Sequence, residues 1–349
     1  MASSTWRTWC AASRSRNRDV LAGLILVVVI ALCFDFTNGF HDAANAVASV
    51  VSTRALSLRA ALILAAVMNL LGALLGTKVA ATVTAGIIAA PTGSAGLGLV
   101  FSALLGAIGW NLITWYFGLP SSSSHALIGG MVGAALAASS TVHWSGVLDK
   151  VVLPMVISPV IGLGLGYLLM IGVLWLFRDA RFHPLGRGFR RAQILSAASL
   201  ALGHGLQDAQ KTMGLIVLAL VVTGHQHGTN VPLWTILCCA LAMAAGTYTG
   251  GRRIIATMGR RIFPLTPPYG FVAELTGSLV LYVTAYAFAA PTSTTHVITS
   301  AVMGVGATKR ASAVRWSVAR DIVSGWVLTL PAAALTAALV YLPLHLVWT

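Results

Sequence analysis

The sequence predicts an all-α integral membrane protein with about ten or more transmembrane helices, built as two inverted repeats with discontinuous helices or re-entrant hairpins at corresponding places. Three observations predict it. Of 349 residues, 57% are hydrophobic and only 9% charged, with a mean hydropathy of +0.86, which leaves too few polar side chains to cover a water-soluble globule of this size. Apolar runs long enough to cross a ~30 Å hydrocarbon layer as helices recur along the whole length. A run of hydroxyls ending in histidine, foreign to such a chain, occurs twice: SSSSH at Ser121–His125 and TSTTH at Thr292–His296.

The clearest apolar runs are Leu56–Gly76, Leu97–Leu119, Val151–Phe177, Pro232–Gly246, Phe271–Ala290 and Ile322–Val347. The alternating pattern of an outer-membrane barrel is absent, so the spans are read as helices. A net charge of +14 does not indicate a nucleic-acid partner, because the basic residues stand at the ends of apolar runs, as cytoplasmic arginines of membrane proteins do. Clusters occur at Arg54 and Arg59, at Arg178, Arg181, Arg187, Arg190 and Arg191, at Arg252, Arg253, Arg260 and Arg261, and at Lys309, Arg310, Arg315 and Arg320. Placing all of them inside requires an even number of crossings between the first two clusters. The three clear runs there need a weaker fourth, and the segment of adequate length begins at the serines.

The organisation that follows is a basic N-terminal segment at 1–19, a first membrane repeat at 20–177, a basic cytoplasmic linker at 178–191 and a second, inverted repeat at 192–349. The N-terminal segment is cytoplasmic by its arginines and external by the crossing count. A signal peptide is an alternative there, since basic residues precede the apolar Leu21–Leu32, but no clear A-x-A-like cleavage site follows. Cys10, Cys33, Cys238 and Cys239 have neither metal-ligand spacing nor the density of a disulfide framework, and read as small apolar fillers.

The repeat is visible in three blocks taken in one order. Pro120 and His125 match Pro291 and His296 at an offset of 171. Trp144, Ser145, Asp149 and Pro159 match Trp316, Ser317, Asp321 and Pro331 at an offset of 172. NGFHDAANAVA, from Asn38 to Ala48, matches HGLQDAQKTMG, from His204 to Gly214, with Asp42 on Asp208 at an offset of 166. If the helix through Asp42 runs inward, four crossings return the chain to a cytoplasmic central loop, so the helix through Asp208 runs outward. Inverted halves with odd polar segments in corresponding places point to a secondary transporter whose substrate binds near the midplane.

A proline followed by hydroxyls is a poor helix interior and a good helix start. In one copy this is a plain N-cap. In two inverted copies, Ser121–Ser124 and Thr292–Thr295 approach the midplane from opposite sides with free N–H groups, hydroxyls and positive helix ends, which makes a cradle for an anion. Unwound backbone at that depth is tolerated where it lines a cavity.

The acids are Asp19, Asp35, Asp42, Asp149, Asp179, Asp208, Glu274 and Asp321. Arginines flank Asp19 and Asp179, which read as surface residues, and Asp149 and Asp321 read as helix starts at the interface. Asp42, Asp208 and Glu274 lie well inside apolar sequence, where a carboxylate is costly and marks function. Carboxylates beside an anion cradle repel the ligand unless positive charge enters with it. Together the two features imply cation-coupled anion uptake.

GFHDAANA and GLQDAQKTMG, with GLPSSSSH and APTSTTH, resemble the duplicated signatures of the inorganic phosphate transporter (PiT) family, of the bacterial low-affinity permease type. The resemblance covers nearly the whole chain. It implies an inverted-repeat helical fold with two helical hairpins, a homodimer in the cell membrane, and symport of phosphate with sodium or protons or as a divalent metal–phosphate complex, with no resident cofactor. By matched position it assigns phosphate to Ser122, Ser123, Ser124, Ser293, Thr294 and Thr295, and cation or proton coupling to Asp42, Asn45, Asp208, Lys211 and Glu274. The chain departs from the family pattern at His41 and Gln207, where Asn often precedes each aspartate, and at Ala103, the counterpart of Glu274. Those changes remove possible oxygen ligands for sodium and lean toward proton or metal–phosphate coupling, since histidine titrates near neutral pH.

Three alternatives stand beside this reading. Sulfate is a tetrahedral anion of similar size, but phosphate can donate a proton to Asp42 or Asp208 and sulfate cannot at neutral pH. A channel gains nothing from paired buried carboxylates. A membrane-embedded hydrolase needs a nucleophile with a positioned base, or further metal ligands, that the sequence does not supply.

Overall fold

The computed structural model describes residues 2–179 and 182–348. Arg181 and the side chains of Cys10, Arg252 and Arg260 lie outside the described residues. In chain order the helices are α1 (Ala2–Ser52), α2 (Leu58–Ala73), α3 (Lys78–Ala85), α4 (Ser94–Phe117), α5 (Ser123–Ala137), α6 (Trp144–Val147), α7 (Leu153–Leu176), α8 (Phe182–Val222), α9 (Leu233–Thr249), α10 (Arg252–Ala256), α11 (Pro267–Tyr286), α12 (Thr294–Ala307) and α13 (Trp316–Trp348). A helix satisfies its own backbone, which an apolar surrounding requires. The sole strand pair among the described residues is two residues long on each side, Ile88–Ala89 against Thr141–Val142.

Five described helices are long and apolar enough to cross a membrane, or up to seven if each bent pair counts as one span. The chain is therefore a multi-pass membrane protein by length and composition, and this count stops short of the ten or more expected. Broken and short helices account for part of the difference. A bend of 71° separates α2 from α3, and one of 63° separates α9 from the following segment. At the second break Gly250 takes φ +66°, a conformation that costs a glycine little. The weak fourth span expected after the serines is α5, whose 15 residues reach only about 22 Å. It pairs with α4 as a hairpin. Gly118 ends α4 in the left-handed conformation at φ +67°, and the chain restarts as helix at Ser123.

Interhelical contacts follow one rule in both halves. Helix α13 packs on α5 and α4, whereas α7 packs on α12 and α11, so the last long helix of each half embraces the other half's hairpin. Glycines allow the close approach: a Cβ on Gly133 would stand 2.0 Å from the Ala334 carbonyl oxygen, and one on its repeat counterpart Gly304 would stand 2.1 Å from that of Leu163. Helices α2 and α3 lie along α8 in parallel, with Asn69 at Gly205, Gly76 at Leu206 and Gln210, and Ala80 and Val83 at Gly214. The segment α9–α10 lies along α1 in the same sense, with Gly39 at Met243, Gly251 at Phe40 and Gly259 at Ala48.

Two apolar clusters form the core. One takes Leu24–Phe34 of α1 with Ala209–Val222 of α8, and the other takes Ala43–Val50 of α1 with Ala197–Ala201 of α8. Between them α1 and α8 bring their polar middles together, and the starts of α5 and α12 close on the same place.

Candidate functional site

Asp42 and Asp208 lie on α1 and α8 with 2% and 0% exposure. Ser123 Oγ donates to Asp42 Oδ2 at 2.7 Å, and Thr295 Oγ1 donates to Asp42 Oδ1 at 3.3 Å. Thr294 Oγ1 donates to Asp208 Oδ2 at 3.5 Å. Asn45 Nδ2, one turn after Asp42, donates to Thr294 Oγ1 at 3.2 Å and to Thr295 Oγ1 at 2.8 Å. Lys211, in the matching position after Asp208, donates to Ser124 Oγ, to Asp208 Oδ1 at 2.5 Å and to the Thr292 carbonyl at 3.2 Å. Asn45 of the first half thus reaches the second tip, and Lys211 of the second half reaches the first.

The hydroxyls divide into two kinds. Ser122 and Ser293 are N-caps, each accepting at 3.2 Å from the N–H three residues on, of His125 and His296. The plain helix-start reading holds for these two residues. Ser123, Ser124, Thr294 and Thr295 instead face the carboxylates, Asn45 and Lys211. Behind the tips the His125 and His296 rings meet with centroids 4.8 Å apart, and His296 stacks on Trp326 at 4.0 Å.

His41 Nδ1 lies 2.7 Å from Asp42 Oδ1 and its Nε2 lies 3.2 Å from Thr114 Oγ1, so this ring is a fully bonded neighbour of the site. Gln207 turns to Thr284 Oγ1 at 2.9 Å. His204, one turn before Asp208, carries no signal in the sequence beyond its match to Asn38. Its Nε2 lies 3.2 Å from Asp208 Oδ2, and its Nδ1 lies 3.1 Å from Asn69 Oδ1. One ligand atom each from Asp42, His204 and Asp208 lie within 4.8 Å of one another. A cation placed there finds an imidazole nitrogen and two carboxylate oxygens. Lys211 Nζ pairs with Asp208 Oδ1, which puts a basic group beside that carboxylate.

Glu274 is not joined to the tips by a hydrogen bond. Ser49 donates to its Oε1, Gln193 Nε2 donates to the same oxygen at 3.3 Å, and Ser196 Oγ donates to Oε2 at 2.5 Å. Ser49 stands one turn beyond Asn45 on α1, so Glu274 occupies a separate polar nest next to the site. Asp149, Asp179, Asp321 and Asp19 are exposed, as the sequence implied. Asp35 is different: it is fully buried, and neither carboxylate oxygen has a hydrogen-bond partner.

The phosphate transporter family matches residues 38–185 and again residues 179–337. The chain belongs to the phosphate transporter family. A probable low-affinity inorganic phosphate transporter of Bacillus subtilis (strain 168) is 44% identical over 334 residues, covering 95% of this chain and all of that protein. One of the same description from Rhizobium meliloti (strain 1021) is 47% identical over 328 residues, 93% of this chain and 97% of the relative. Among solved structures, a sodium-dependent phosphate transporter superposes with a TM-score of 0.85 at 25% identity, over 93% of this chain and all of the other. These relatives are transporters, and a phosphate transporter family member is not an enzyme, which disposes of the hydrolase alternative. Nothing in these similarities favours sulfate.

Proposed function

We propose that the chain is a secondary carrier of the cytoplasmic membrane that imports inorganic phosphate together with a cation, as a homodimer of two-repeat subunits. The observation that carries this reading is the crossed pair of contacts at the centre, Asn45 to Thr294 and Thr295, and Lys211 to Ser124. One site is assembled from both halves, so relative movement of the halves exposes it to either side, as alternating access requires. The inverted sense is supported by the packing register. A short connection turns α2 back on α1, α8 runs parallel to α2, and α8 is therefore antiparallel to its repeat counterpart α1.

The anion reading rests on four hydroxyls, two helix starts and one ammonium. Two carboxylates and one lysine leave a net negative charge when ionised, so phosphate enters such a place only with added positive charge. Proton, sodium and a divalent metal–phosphate complex each supply it. Purified protein in liposomes is expected to accumulate phosphate under an imposed inward proton or sodium gradient, with excess sulfate failing to compete. Downhill flux alone, with no accumulation under either gradient, sinks the carrier reading in favour of a channel.

Topology has its own check. Single cysteines placed in residues 178–191 and 252–261 of a cysteine-free protein are expected to label from the cytoplasmic face in both segments. Labelling from opposite faces removes the positive-inside assignment and the inversion built on it.

A further inference from the structure

Asp35 sits seven residues before Asp42 on the same face of α1, about 10.5 Å along the helix. Seven residues after Asp42 comes Ser49, which holds Glu274. Helix α1 thus passes buried acids at three levels in turn: Asp35, the Asp42–Asp208 pair, and Glu274. The first has no counterpart in the second half, where Ala201 occupies the matching position.

Thr212 of α8 and Cys239 of α9 are the neighbours of Asp35, with the charges of Asp208 and Lys211 of α8 within electrostatic reach. Among the described residues, the other helices packed on α1 bring no further ionisable group to it. Arg59 of α2 and Tyr116 of α4 are exposed at helix ends, and α10, α11 and α12 meet α1 later, from Phe40 onward, where Arg253, Glu274 and His296 belong. Asn38, between Asp35 and Asp42 on the helix face, is 1% exposed with neither amide atom partnered, and the Thr212 hydroxyl is likewise buried and unpartnered.

A lone carboxylate in such surroundings needs a proton or a cation. Hard cations take several oxygen ligands at close range, whereas the side chains directly beside the Asp35 carboxylate are one hydroxyl and one soft thiol, with the Asn38 amide one turn further along the helix. A proton needs no coordination shell, and the unpartnered Thr212 hydroxyl is the neighbour able to accept from the O–H it would form. We propose that Asp35 is a proton-carrying residue of the transport cycle, standing outside the phosphate site and coupled to it through charge.

The step is an acid–base equilibrium with water. An O–H bond forms on the Asp35 carboxylate, using a proton taken from the outer solution, and breaks again when the proton leaves to the inner solution. The neutral acid removes one negative charge from the neighbourhood of Asp208, so phosphate and proton each raise the other's affinity. This inference rests on the phosphate-carrier reading and names its coupling ion.

The test is Asp35→Asn in proteoliposomes, with two measurements: exchange of labelled phosphate between equal pools, and net phosphate accumulation under an imposed pH gradient. Asparagine keeps the neutral shape and cannot give up a proton. Exchange is expected within about twofold of the parent and pH-driven accumulation at least about tenfold lower, the scale of an ordinary coupling energy. Accumulation at the parental level overturns the proposal. If both reactions are lost, Asp35→Glu decides, since glutamate restores a titratable carboxyl: recovery of both supports the proposal and failure to recover overturns it. Parental protein driven by a sodium gradient and not by a pH gradient overturns the proton assignment and leaves phosphate carriage standing. Parental protein driven by neither overturns the functional reading itself.

Discussion

Asp42→Asn and Asp208→Asn are each expected to abolish phosphate accumulation, with uptake falling by at least about a hundredfold. The two losses have different physical origins. Asp42 collects Ser123 and Thr295 from the two tips, so the amide keeps the shape but loses the charge proposed to hold the entering cation. Asp208 is proposed to share that part, and it also balances Lys211 at 2.5 Å, with the lysine 1% exposed. Its removal leaves a buried ammonium without a counter-ion, a cost of about 3–5 kcal/mol. Asp208→Asn should therefore melt well below the parent while Asp42→Asn melts close to it. Adding Lys211→Met to Asp208→Asn should recover the melting temperature without recovering uptake. Parental uptake in either single variant removes that carboxylate from the coupling machinery.

Alanine at the hydroxyls should separate ligands from caps. Ser124→Ala and Thr295→Ala are expected to weaken apparent phosphate affinity by about ten- to a hundredfold, the equivalent of about 1.5–3 kcal/mol for a hydrogen bond to a charged group. Ser123→Ala and Thr294→Ala should behave alike, because each half supplies one side of the cradle. Backbone donors and helix ends survive these truncations, so binding weakens and is not lost. Ser122→Ala and Ser293→Ala remove an N-cap from α5 and α12, which costs about 0.5–2 kcal/mol of stability and should leave affinity nearly unchanged. Transport affinity and melting temperature measured on the same purified variants read both effects. Unaltered affinity in all four facing variants would place the anion elsewhere.

The membrane class, the duplication and the central residues were legible in the sequence because they depend on local signals. Composition alone excludes a soluble globule. The offset of 166 between Asp42 and Asp208 survives as a written pattern whatever the helices pack against. Proline followed by hydroxyls declared a helix restart, and the structure puts one at Ser123 and another at Thr294. The length rule did less well with the helices themselves. An apolar run does not disclose where it bends, and the breaks after Ala73 and Thr249 become visible only as changes of direction.

What only the tertiary structure decided is who stands next to whom. Sequence spacing put Lys211 with Asp208 one turn apart, but nothing in it announced that the lysine also holds Ser124, 87 residues away. Glu274 was recognised as a costly buried acid. Its partner Ser49 lies 225 residues distant and looked like any serine in an apolar run. Asp35, just past the first apolar run, carried no motif, and it became noticeable once packing against α8 and α9 had buried it without a partner. The reason is general to buried charge. Its cost is written in the sequence as an ionisable residue among apolar ones, whereas its compensation comes from helices that fold beside it, and their approach is set by packing over the whole chain.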